Sequence, residues 1–65
     1  RPQAMQREVT ALERRKQKGD LNTAIRLLKR ICDDHPKSGQ ASWAHQQLED
    51  KYGIPYTGGG MHKGG

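Results

Sequence analysis

The sequence contains few aromatic residues, one cysteine and no long apolar run. Phe is absent, one Trp and two Tyr supply all the aromatic side chains, and hydrophobic residues make up 31% of the 65 positions. Because Cys32 is the single cysteine, no disulfide can form within the chain. No apolar stretch approaches the roughly 20 residues that a membrane-spanning helix needs. These absences argue against a disulfide scaffold and a membrane protein, and they indicate one small domain in the cytoplasm or inside a macromolecular assembly.

The positive charge is concentrated in the first 18 residues. The formal net charge of the chain is +5, and residues 1–18 contribute +4 of it, with six basic residues against two acidic ones. A cluster of this kind attracts phosphates, anionic lipid or an acidic protein surface. The alternative is a solvated helix end, where cations interact favourably with the helix dipole. The members of this candidate basic patch are Arg7, Arg14, Arg15, Lys16 and Lys18.

The first two helices are predicted from an apolar periodicity that is interrupted at Gly19. Pro2 suits the first turn of a helix that continues to about Lys18, and Gly19 would end it in the left-handed conformation. Asp20 is the expected N-cap of the second helix, and Pro36 closes that helix. The broad apolar face of the second helix predicts a central helix packed on both sides. The apolar positions of the two helices are Met5, Val9, Leu12, Leu21, Ala24, Ile25, Leu28, Ile31 and Cys32.

The third helix is expected from Ser38, a good N-cap, to about Tyr52. Gly53 follows as the residue that ends the helix in the left-handed conformation. The inward positions are Ala41, Ala44, Leu48 and Tyr52, with Trp43 at the edge of this stripe. The predicted fold class is therefore all-α, with three antiparallel helices in residues 1–55 and a flexible, Gly-rich tail in residues 56–65.

No arrangement typical of catalysis or of metal binding stands out. Cys32 and His35 have a spacing seen in some metal sites, and His45 and His62 could supply further ligands. However, Cys32 lies on the apolar face of its helix, where it behaves as a small core side chain. The glycine run 58–60 lacks the lysine and the strand–turn–helix context of a phosphate-binding loop. The sequence therefore predicts no enzyme, no metal and no cofactor.

The middle of the chain resembles the second half of a tetratricopeptide repeat and its closing proline. The residues that carry this resemblance are Gly19, Asp20, Leu21, Ala24, Ile25, Leu28, Ile31 and Pro36. The third helix is similar to the first helix of a following repeat, through Ala41, Trp43, Ala44, Leu48 and Tyr52. The resemblance covers about one and a half repeats, and it implies a helical hairpin that binds a peptide or another subunit.

Two functions follow from these observations as expectations. The first is a protein–protein interaction module or a structural subunit of a larger complex, with Trp43, Leu48 and Tyr52 near the contact surface. The alternative is a basic protein that contacts nucleic acid non-specifically, through the basic patch, within a nucleoprotein or virion-like assembly.

Overall fold

The computed structural model describes residues 1–56 and contains three α-helices there. They are α1 (Pro2–Arg15), α2 (Lys18–Asp34) and α3 (Gly39–Tyr52). Successive helices run antiparallel and the described part of the chain has no strand, so the predicted all-α fold class is confirmed. None of these helices combines the length and the apolar character that a bilayer crossing requires. The predicted flexible tail lies outside the described residues from residue 57 onward.

The turn between α1 and α2 lies three residues earlier than the sequence predicts. Lys16, not Gly19, adopts the left-handed conformation, with φ 55° and ψ 29°, and its N–H donates to the carbonyl of Glu13. Gln17 is the extended N-cap residue of α2, and Gly19 lies inside the first turn of that helix. The expected extension of α1 to Lys18, the expected cap at Gly19 and the expected N-cap at Asp20 are therefore wrong.

The reason for this shift is that capping preferences are weak compared with helix packing. A left-handed lysine costs about 1 kcal/mol relative to glycine, which contacts between α1 and α2 can outweigh. Asp20 is favourable in the first turn of α2 as well as at an N-cap, because the helix dipole attracts negative charge in either place. Its carboxylate also lies 3.8 Å from the guanidinium of Arg15, across the turn.

The ends of α3 agree with the sequence prediction. The Ser38 hydroxyl accepts a hydrogen bond from the N–H of Ala41 at 3.1 Å and donates to the carbonyl of His35 at 2.7 Å. Gly53 has φ 65°, and the N–H of Ile54 donates to the carbonyl of Leu48 at 2.8 Å. These bonds satisfy backbone groups that a helix leaves free at its two ends. The N-cap at Ser38 and the glycine termination of α3 are confirmed.

The core lies on the central helix α2, as its broad apolar face predicts. Four buried side chains come from α2, three from α3 and one from α1. Three of the eight are alanines, which let neighbouring helices approach closely. The buried residues are Val9, Ala24, Leu28, Ile31, Cys32, Ala41, Ala44 and Leu48.

The three helices form a small bundle, in which α1 and α3 both pack against α2 and also contact each other. The Cα atoms extend over 36 × 24 × 14 Å. A polar contact joins the C-terminal parts of α1 and α3. The hydroxyl of Tyr52 donates to Glu13 at 2.7 Å, and the ammonium of Lys51 lies 3.3 Å from the same carboxylate. Burial, together with the Glu13 hydrogen bond, raises the pKa of Tyr52 above its ordinary value.

Candidate functional site: the groove between the first and third helices

A groove of about 330 Å³, open to solvent, lies between α1 and α3. We call it the α1–α3 groove. Its volume is at the lower end of the roughly 300–1,000 Å³ typical of ligand sites in proteins. Five of its residues come from α1 and share one side of that helix, because they recur at helical spacing. The residues that line it are Gln6, Arg7, Thr10, Ala11, Arg14 and Trp43.

Trp43 contributes the one large aromatic surface of the groove. It is half-buried and packs against the core formed by the buried residues, while part of the ring lines the groove. This position agrees with the edge-of-stripe location expected from the periodicity of α3. An indole held by core packing loses little freedom when a partner covers it, and tryptophan is enriched among residues that dominate binding energy.

Arg7 and Arg14 give the groove its positive charge. Both are exposed, and neither takes part in the ion pairs found among residues 1–56. Glu13 is turned to Tyr52 and Lys51, and its side chain is only 13% exposed, so little of its negative charge faces solvent. The Thr10 hydroxyl donates to the carbonyl of Gln6 at 3.2 Å, within the same turn of α1. The groove therefore combines an aromatic ring with two accessible guanidinium groups.

The structure divides the predicted basic patch into two parts. Arg7 and Arg14 line the groove. Arg15 is the last residue of α1, and its guanidinium lies near Asp20 in the first turn of α2. Lys16 is the left-handed residue of that turn, and Lys18 begins α2. All five cations are exposed, but only two of them share a concave surface with an aromatic side chain.

Two of the three predicted contact residues lie away from the groove. Leu48 is fully buried in the core, so its side chain is not on any surface that a partner can reach. Tyr52 is half-buried and directs its hydroxyl to Glu13. Leu48 is therefore a structural residue and Tyr52 joins two helices, which leaves Trp43 as the aromatic residue of the groove.

The proximity of Trp43 to Arg7 and Arg14 was not predicted from the sequence. These residues are separated by 29 or more positions along the chain, and nothing in their local pattern shows which face of α1 meets α3. The only available signal was the seven-residue spacing of the two arginines, which places them on one side of α1. A tertiary contact was needed to bring the tryptophan to the same place.

A second polar cluster holds Tyr56 against α2 and α3. Its hydroxyl lies 2.8 Å from both carboxylate oxygens of Asp33, and its carbonyl lies 3.1 Å from Nδ1 of His45. The ammonium of Lys29 is 5.7 Å from the centre of its ring. The hydrogen bond to Asp33 raises the pKa of Tyr56. The sequence assigned Tyr56 to the flexible tail, but these contacts place it in the folded domain.

Cys32 has the environment of a core residue. Its thiol is fully buried, and burial, with a smaller contribution from the Asp33 charge, raises its pKa to about 11. A thiol with this pKa is protonated at neutral pH, whereas nucleophiles and metal ligands need the thiolate. No group of three His, Cys, Asp or Glu side chains suited to a metal occurs within residues 1–56, and His62 lies outside them.

Comparisons with known proteins provide no relative for this chain. No protein-family model, no curated protein and no solved structure matches it. The functional argument therefore depends on the geometry and the charge of the groove.

Proposed function

We propose that this protein is a small protein–protein interaction module, or a structural subunit of a larger complex, whose contact surface is the α1–α3 groove. The observation that carries this proposal is the position of the half-buried Trp43 in an open groove beside Arg7 and Arg14. Tryptophan and arginine are the side chains most enriched among residues that dominate binding energy at protein interfaces. The remaining members of the groove are small or uncharged, so they can pack against a partner without a large desolvation cost.

The modest core also supports a role in assembly. Among residues 1–56, eight side chains are fully buried and three of these are alanines, while the other hydrophobic residues packed against them stay partly exposed. Small domains with so few buried side chains gain little free energy from their own core. A partner that covers the groove would bury more of Trp43 and would stabilise the fold by mass action. The resemblance to a tetratricopeptide repeat supports the same role, because repeat units bury their apolar faces against neighbouring units.

An affinity capture with matched variants tests this proposal. The full chain is immobilised and exposed to a nuclease-treated extract of the source cells, and bound proteins are identified by mass spectrometry. The variants are Trp43→Ala, the double variant Arg7→Gln/Arg14→Gln, and the control Arg26→Gln, which removes one charge from the exposed surface of α2. Far-UV circular dichroism verifies that each variant is folded before the comparison is made.

We expect at least one protein that wild type and Arg26→Gln retain and that both groove variants lose. The loss should be larger for Trp43→Ala, because removal of a well-packed tryptophan from an interface costs about 2 kcal/mol or more. If every captured protein binds the groove variants as well as it binds wild type, the α1–α3 groove is not the contact surface and the proposal is wrong.

A further inference from the structure

We propose that the α1–α3 groove binds an acidic amphipathic helix of a partner protein. Two carboxylates one heptad apart on that helix would pair with Arg7 and Arg14, and an apolar side chain between them would pack against Trp43. This inference rests on the function proposed above and names the chemistry of the partner. Three features of the groove carry it: the spacing of the arginines, the size of the residues between them and the distribution of the aromatic side chains.

The spacing of the two arginines matches the repeat of a helix. Arg7 and Arg14 are seven residues apart on α1, so their Cα atoms are separated by roughly 10 Å along the helix axis. Carboxylates at positions i and i+7 of a second helix have the same separation and lie on one face. A helix laid along α1 can therefore place both of its carboxylates against arginines at the same time.

The residues between the arginines allow such a helix to approach. Thr10 and Ala11 line the groove between the two guanidinium groups, and both are small. Trp43 stands on the α3 side of the groove. The α1 residues that line the groove extend from Gln6 to Arg14, about two helical turns, so the groove runs along α1. An amphipathic helix in a groove between two helices is a common mode of peptide recognition, in which apolar residues at helical spacing make the main contacts.

The distribution of aromatic groups favours a protein helix over single-stranded nucleic acid. Proteins that bind single strands offer several aromatic side chains on which successive bases stack, along a continuous basic track. In this groove Trp43 is the single aromatic residue, because Tyr52 contacts Glu13 and Tyr56 contacts Asp33. The basic track is also short, since the other three members of the basic patch lie at the turn between α1 and α2.

A pair of synthetic peptides tests the proposal directly. Both are capped, free of aromatic residues and about 20 residues long, since shorter isolated helices are marginal in water. The first carries two glutamates seven residues apart with two leucines midway between them, in an alanine-rich background. The second has the same composition, but its glutamates are five residues apart and so lie on different sides of the helix. Binding to the full chain is followed at low ionic strength by the fluorescence of Trp43, the single tryptophan.

We expect the first peptide to perturb the Trp43 emission and to bind more tightly than the second. Arg7→Gln and Arg14→Gln should each raise its Kd about 2- to 5-fold, the range for exposed ion pairs, while Arg26→Gln leaves it unchanged. The double charge reversal Arg7→Glu/Arg14→Glu should abolish binding of the glutamate peptide and create binding of a peptide with lysines at the same two positions. That exchange of specificity cannot come from a structural role of the arginines.

Four results would overturn the proposal. Equal binding of the two peptides would show that the groove does not distinguish the spacing of the two glutamates. Tighter binding of a thymidine oligonucleotide than of the first peptide, with a log–log salt slope of roughly −0.7 for each phosphate contacted, would assign the groove to nucleic acid. Absence of peptide binding, combined with groove-dependent capture of a protein, would reject the acidic helix and leave the interaction module in place. If neither assay depends on the groove, both proposals fail.

Discussion

Removal of the Tyr52 hydroxyl should weaken the connection between α1 and α3. In the folded chain this hydroxyl donates to Glu13 at 2.7 Å, and the Glu13 side chain is only 13% exposed. A hydrogen bond to a charged group contributes about 1.5–3 kcal/mol. Because Tyr52 is half-buried and Lys51 still contacts the carboxylate in the variant, we expect the lower end of this range. Tyr52→Phe should therefore lower the free energy of unfolding by about 1.5 kcal/mol.

The assay is urea denaturation followed by the fluorescence of Trp43 and by circular dichroism at the same concentrations. In a thermal melt of a domain of this size, the same loss of stability corresponds to a decrease in Tm of about 6–12 °C. Tyr56→Phe is the matched control, because it also removes a tyrosine hydroxyl. The hydrogen-bond partner of that hydroxyl, Asp33, is exposed to solvent. Water can replace that bond, so the control should lose less than about 0.5 kcal/mol.

A double-mutant cycle separates the contact from other effects of the substitution. The cycle combines Tyr52→Phe with Glu13→Gln, and the two losses should be less than additive by about 1 kcal/mol. If Tyr52→Phe is as stable as wild type, or if it loses no more stability than Tyr56→Phe, the proposed connection between α1 and α3 does not exist in solution.

Four further predictions concern stability and use the same denaturation assay. Lys16→Gly should raise the free energy of unfolding by about 1 kcal/mol, because Lys16 has φ 55°. Gly19→Ala should raise it by about 0.5–1 kcal/mol, because Gly19 lies inside a helix and an added methyl group meets no atom within 4 Å. Ser38→Ala should lower it by about 1 kcal/mol, since the hydroxyl caps α3 through the N–H of Ala41. Finally, folding raises the pKa of Cys32 from 9.0 to about 11, so the unfolded chain loses the thiol proton at a lower pH than the folded chain. The free energy of unfolding should therefore fall between these two pH values, by up to about 1.4 kcal/mol per pH unit.

Each of these predictions has a result that would contradict it. Destabilisation by Lys16→Gly or by Gly19→Ala would contradict the left-handed turn at Lys16 and would favour position 19, which the sequence predicts. If Ser38→Ala leaves the free energy of unfolding unchanged, the hydrogen bond from the N–H of Ala41 to Ser38 does not stabilise α3. For the pH dependence, the raised pKa values of Tyr52 and Tyr56 lower the stability of any variant above pH 10.0. The comparison is therefore made between pH 9.0 and pH 10.0, where the control Cys32→Ala should flatten the fall in stability. An equally steep fall in that variant would assign the effect to other groups.

The sequence predicts the helices better than it predicts their junctions or the site. Ser38 and Gly53 fix the ends of α3 through local hydrogen bonds, which a short sequence window contains in full. The turn at Lys16 depends on how α1 packs against α2, and a local pattern cannot weigh that packing against the preference for glycine. Helix existence is thus a local property, whereas the position of this turn is a tertiary one.

The candidate site shows the same limit. Periodicity places Leu48 in the inward stripe of α3 and Trp43 at its edge, and the structure agrees with both positions. The prediction that Leu48 also contacts a partner conflicts with that inward position, and its complete burial decides against it. The groove itself could not be predicted, because it forms where Trp43 meets the side of α1 that carries Arg7 and Arg14.

The central claim is that Trp43 and the arginines of α1 share one groove, and two-dimensional NOE spectroscopy of the full chain tests it most directly. The indole protons should show cross-peaks to side chains that line the α1 wall, including Thr10 and Ala11. Such cross-peaks would establish the site on which both functional proposals depend. If the indole shows cross-peaks to α2 and α3 but none to α1, the groove is not formed in solution, and both proposals lose their structural basis.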